Sequence, residues 1–146
     1  MLALNNYSGL GKDGPKGTTH TSREIAGQPK LWEEVFNKIA HEKRDLHNFL
    51  SPILALNDLR IILTGAGSSA FIGEAVQGIV QKETQLITQA AATTDIITHA
   101  TSYFLKEVPT LLISFARSGN SPESLEAINL ANSSCDCGGH LIIACN

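Results

Sequence analysis

Two short stretches of this chain carry hydroxyls, glycines and no carboxylate: GAGSS over 65–69 and ARSGNS over 116–121. Each follows an apolar, β-branched run and precedes a segment with helical spacing. A loop that opens a helix after a strand presents unpaired N–H groups and the positive end of the helix dipole. Serine hydroxyls add donors, and glycine lets an anion approach the backbone. The simplest ligand for such a pair is a phosphate group. A plain structural reading stands beside it, because Gly/Ser loops are also ordinary strand-to-helix turns. Ser121 is a good N-cap, with Pro122 at the first helical position and Ser124 at the third. Two such loops at the same sheet edge favour a ligand more than either loop would alone.

Other chemistries fit less well. GAGSSA, from Gly65 to Ala70, matches the G-x-G-x-x-A dinucleotide pattern. That pattern needs an acidic residue near the end of the second strand, where this chain has Thr88 and Gln89; Asp95 comes too late. Cys135, Cys137, His140 and Cys145 give a C-x-C with a nearby histidine, but the spacing matches no common zinc site. His20, His41, His47 and His99 are scattered; His41 and His47 fall on a helix surface, and His99 sits near a strand edge within reach of a pocket. Glu74, Glu83 and Glu123 are available carboxylates, and nothing promotes one of them to a base. Glu123 is more simply a favourable charge at a helix start.

The elements that must position the two loops follow from periodicity. Thr21 and Glu24 form a capping box for a short helix, Pro29 can open a second, and residues 30–50 carry Leu31, Val35, Ile39, Leu46 and Phe49 largely on one face until Pro52 ends the element. Residues 42–45 are a mixed charge run, read as a solvated helix face. From residue 59 the pattern alternates. Strands are expected at LRIILT (59–64), TQLITQ (84–89), PTLLISF (109–115) and HLIIAC (140–145). Helices are expected at FIGEAVQGIVQKE (71–83), with Ile72, Val76, Ile79 and Val80 inward, at TTDIITHATSYF (93–104) and at SPESLEAINLANS (121–133). Repeated β-α units with strands apolar on both faces predict a parallel sheet covered by helices.

Composition narrows the classes further. With 146 residues, 42% hydrophobic and 17% charged, the chain can build one packed core. A net charge of −3 recruits neither nucleic acid nor an anionic membrane, and the N-terminal helices show no basic recognition helix. No apolar run approaches the roughly 18 residues of a membrane span, and residues 1–14 lack the features of a secretory signal. Three clustered cysteines make a poor disulfide framework, so a reduced, cytoplasmic protein is expected.

Taken together, TGAGSSAFIGE, ISFARSGNSPESLEA and IIACN resemble the sugar isomerase (SIS) domain. THTSREIAGQPKLW and RSGNSPES resemble, more closely, the tagatose-6-phosphate ketose/aldose isomerase family, also described as galactosamine-6-phosphate deaminase/isomerase. The resemblance runs from about Thr18 to Asn146. It implies an α/β, three-layer sandwich with a parallel sheet, incomplete after its fourth strand. Residues 1–52 would be an N-terminal arm and helices, and residues 53–146 the first SIS domain. It implies phosphosugar binding by Gly67, Ser68 and Ser69 from the first loop and by Arg117, Ser118, Gly119, Asn120 and Ser121 from the second; Ser69, Ser118 and Ser121 are the expected phosphate ligands. Ala116 replaces a serine that many SIS proteins have. The family's second SIS copy, with its glutamate base and ring-opening histidine, has no counterpart here, so the catalytic residues are unknown. The implied reaction uses no cofactor and no metal. The implied partners are a sugar phosphate and further copies of the chain, since an incomplete sheet leaves a pairing edge. This chain alone is expected to be inactive; a non-catalytic phosphosugar-binding module or sensor is the alternative.

Overall fold

A computed structural model of the protein describes residues 18–145. The arm expected over residues 1–19 lies outside them, except for Thr18 and Thr19, which are helical. The chain divides into two compact units, Met1–Asn48 and Phe49–Asn146.

The N-terminal residues form one helix, α1 (Thr18–Leu54, 37 residues), rather than two. Thr21 lies inside its first turn, so the expected capping box does not form. Pro29 sits in the interior: its φ already suits a helix, and the bond it removes is local within a long run. Pro52 does not end the helix as expected: it lies inside the last turn, and the helix runs on to Leu54. In the first unit, Leu31, Trp32, Val35, Phe36 and Ile39 form an exposed apolar stripe.

The second unit is an α/β layer structure. Strands β1 (Arg60–Gly65), β2 (Thr88–Ala92), β3 (Thr110–Ala116) and β4 (Cys137–Ala144) form one parallel sheet in the order β2-β1-β3-β4. Side chains alternate across it. Ile61, Leu63 and Leu111 face one way, against Val76 and Val80 of α2 (Ala70–Thr84) and Ile53 at the end of α1. Ile62 and Leu112 face the other way, against Ile96 of α3 (Thr93–Thr98) and Ala127 and Ala131 of α5 (Pro122–Ser134), with Phe104 beside them. Ile61, Ile62, Leu63, Leu111 and Leu112 are each at most 1% exposed, which explains why these strands read as continuous apolar runs.

Several expected boundaries move. β2 begins at Thr88 rather than Thr84, because Gln85 turns left-handed (φ 58°) and ends α2 there. Ile87 is left 75% exposed, and the alanines that follow become strand by pairing with β1. Ile72 and Ile79 of α2 are exposed rather than inward; Ala70 and Gly73 take the buried positions. A Cβ on Gly73 would lie 3.1 Å from Leu63 Cβ, so the helix comes too close to β1 there for larger side chains. The segment 93–104 breaks at His99 into α3 and α4 (Ala100–Tyr103). β4 starts three residues before His140, and Cys145 lies beyond it. The β2 edge is sealed locally: Gln81 Oε1 accepts from the Thr88 N–H and Gln77 Oε1 from the Ala90 N–H.

Candidate functional site

The sheet order places a topological switch between β1 and β3. From β1 the chain moves outward to β2, then returns to the other side of β1 as β3. Such a crevice, at the carboxyl ends of adjacent strands, is where open α/β sheets bind ligands. Gly65 pairs with Phe115 at this end, so both Gly/Ser loops leave the sheet side by side. Between them lies a cavity of about 260 Å³, lined by Ala66, Ser68, Ser69, Phe115, Ala116, Arg117, Ser118, Gly119, Ser121 and Ser124. Its size, near the lower end for small-molecule sites, suits a phosphate and the part of a sugar next to it. Among these described lining residues there is no carboxylate and no histidine.

Main-chain geometry shapes the first loop. Gly67 (φ 56°) opens a 3-10 turn, Gly67–Ser69, in which the Ser69 N–H donates to Ala66 O at 3.2 Å. A Cβ on Gly65 would fall 2.6 Å from Ser69 C, 2.7 Å from Ser69 O and 2.9 Å from Ala70 N. Only glycine lets the chain fold back this closely. Thr93 Oγ1 donates to Gly65 O at 3.4 Å from the other side. Ser69 precedes α2 in helical conformation and its side chain makes no capping bond.

The second loop depends on hydroxyls. Gly119 takes φ 75°, and Ser121 caps α5, its Oγ accepting the Ser124 N–H at 3.2 Å. Ser121 Oγ also donates to Ser124 Oγ at 2.7 Å. The Cys145 N–H donates to Arg117 O at 3.1 Å, tying the loop to the end of β4. Arg117 and Ser118 are exposed, so the one cation of the cavity sits at its open rim.

Of the eight residues expected from sequence, Ser68, Ser69, Arg117, Ser118, Gly119 and Ser121 line this cavity. Gly67 and Asn120 do not line it. Gly67 contributes a turn, and the Asn120 N–H makes a long 3.5 Å contact with Ser118 Oγ. His99 does not line the cavity either; its Nδ1 lies 2.8 Å from Thr98 Oγ1. Phe115, Ala66 and Ser124 were not expected. Ala66 was inside the quoted loop, and Phe115 follows from ending β3 in register with Gly65. Ser124 carried a signal only as the third residue of a helix.

No family model matches the chain. It is 47% identical over 133 residues to D-galactosamine-6-phosphate deaminase AgaS of Shewanella sp. (strain ANA-3), covering 89% of this chain and 34% of that protein. It is 45% identical over 128 residues to D-galactosamine-6-phosphate deaminase AgaS of Escherichia coli, covering 88% and 33%. The crystal structure of tagatose-6-phosphate ketose/aldose isomerase from Escherichia coli superposes with a TM-score of 0.80 at 45% identity, over 86% of this chain and 34% of that one. The chain therefore spans about a third of the length of the curated relatives it matches. Over about a third of their length, the chain is similar in sequence and in fold to galactosamine-6-phosphate deaminases and tagatose-6-phosphate ketose/aldose isomerases, in agreement with its resemblance to the sugar isomerase (SIS) domain.

Proposed function

We propose that this chain is the phosphosugar-binding part of a galactosamine-6-phosphate deaminase or ketose/aldose isomerase, and that the cavity between the two loops holds the sugar's phosphate. The observation that carries the reading is the cavity wall: hydroxyls and main-chain groups of two adjacent loops, one arginine at the rim, and no acid among the described lining residues. Ser69, Ser118 and Ser121 donate to the phosphate, Ser68 and the main chain around Gly67 and Gly119 shape the cradle, and Arg117 acts from the rim. Anchoring the phosphate holds the sugar carbons in a fixed place, which is a contribution of binding and orientation.

In the intact enzyme the ring opens and a base moves a proton between C2 and C1 through an enediol or enamine. Water then replaces the amine, giving tagatose 6-phosphate and ammonia. The described cavity wall offers no base, so the chain alone binds substrate without turning it over. We place the protein in the cytoplasm, as a homo-oligomer, without nucleic-acid or membrane partners.

The test is thermal unfolding of the 146-residue chain with galactosamine 6-phosphate, galactosamine and NADH. Saturating ligand at about 100 Kd contributes about 2.7 kcal/mol, a rise of roughly 5 °C or more. Only the phosphorylated sugar should produce it; an equal shift with NADH would instead support a dinucleotide site. Ammonia release by the same chain should stay at background, and robust turnover would refute its inactivity. The non-catalytic module draws on the same cavity and its missing base. It is separated by assaying a protein of the relatives' full length, which only the enzyme reading expects to turn over.

A further inference from the structure

We propose that Ser124 is an anion-binding partner of Ser121: the two hydroxyls work as one donor on the α5 wall of the cavity, and Ser124 positions and strengthens it. The inference rests on the phosphate reading of the cavity above.

A serine hydroxyl has one proton to donate and two lone pairs. Ser121 Oγ accepts the Ser124 main-chain N–H and donates its own proton to Ser124 Oγ. Its donating capacity is thereby committed inside the loop. The proton left on the pair is that of Ser124, a residue that is only 5% exposed and lines the cavity. A buried hydroxyl proton needs an acceptor, and an anion in the cavity supplies one. If Ser121 instead turns its proton to the anion, the Ser124 proton takes its place between the two oxygens. In either arrangement one proton points to the ligand and one joins the serines, so removing Ser124 Oγ weakens both. Hydrogen-bonded hydroxyls also polarise one another, which makes the outward donor stronger than an isolated serine.

The experiment titrates galactosamine 6-phosphate, and separately inorganic phosphate, into the 146-residue chain and its variants Ser124→Ala, Ser124→Thr, Ser121→Ala and the double alanine variant. Ser124→Ala should weaken binding of both ligands about tenfold, as expected for a lost hydrogen bond to a charged group. Ser124→Thr, which keeps the hydroxyl, should recover most of the affinity. The double variant should lose less affinity than the two single losses added together, because each serine polarises and orients the other. A purely structural role for Ser124 would lower the melting temperature without this coupling in affinity. If the wild-type chain binds and Ser124→Ala binds equally well, or if the losses simply add, the Ser124 proposal is overturned and the phosphate reading stands. If the wild-type chain binds neither ligand, the phosphate reading falls and takes this proposal with it.

Discussion

The two loops line the same cavity but are shaped by different means. The first is shaped by its backbone: Gly65 folds onto Ser69 with no room for a Cβ, Gly67 supplies a left-handed turn, and the serines take no part in capping α2. The second is shaped by its side chains, with Ser121 capping α5 and bonded again to Ser124. In the first loop, glycines shape the turn and Ser69 makes no capping bond. In the second, the Ser121 hydroxyl caps the helix, and on the proposed function it would also meet the phosphate. Mutational effects on stability and on binding should therefore separate in the first loop and coincide in the second.

The largest expected effect is Gly65→Ala. A methyl group 2.6 Å from main-chain carbon forces the turn open, at a cost of about 3 kcal/mol read from the urea midpoint. A near-neutral result would break the comparison, since it would mean that the first loop is not held by backbone contact. Gly67→Ala and Gly119→Ala should each cost about 1 kcal/mol. Both have positive φ, but neither has a neighbour within 3.4 Å of the added Cβ, so strain acts without a clash.

Ser121→Ala should lose about 1 kcal/mol of stability with its cap, and ligand affinity with it. Ser69→Ala sharpens the contrast. With no capping bond to lose, it should stay within about 0.5 kcal/mol of wild type while weakening phosphosugar binding, as measured by paired unfolding and titration.

The smallest effect lies outside both loops. Burial pushes the His140 imidazole below its ordinary range, and its Nε2 lies 3.0 Å from Asn132 Oδ1. The unfolded chain therefore takes up the proton first, and stability should fall as pH drops below about 6.5. Unfolding measured at pH 7.5 and 5.5 should show this decline, and His140→Gln should flatten it while Ser69→Ala leaves it unchanged.

Much of the site was legible because it is built from local signals. A strand that ends in Gly/Ser and runs into a helix is visible at Leu63–Ala70 and again at Ser114–Pro122, since β-branched runs, glycines and caps act over a few residues. What failed also failed for a local reason. Pro29 looked like a boundary because a proline's cost is visible in sequence, whereas the long helix that absorbs it is not. TQLITQ had better strand propensity than TQAAA, but Gln85 and pairing with β1 decided the matter. Ile72 and Ile79 read as inward-facing because period alone cannot show that α2 approaches β1 most closely at Gly73.

By itself, then, the order of residues determined the alternation of strands and helices, the two Gly/Ser turns and the lack of an acid within them, all of which depend on neighbours along the chain. Only tertiary structure decided that β1 and β3 are adjacent, that their loops enclose one cavity, and that Phe115 and Ser124 belong to its wall. Those facts depend on strand order, and strand order is set by burying both faces of the sheet at once, which no short stretch of sequence encodes.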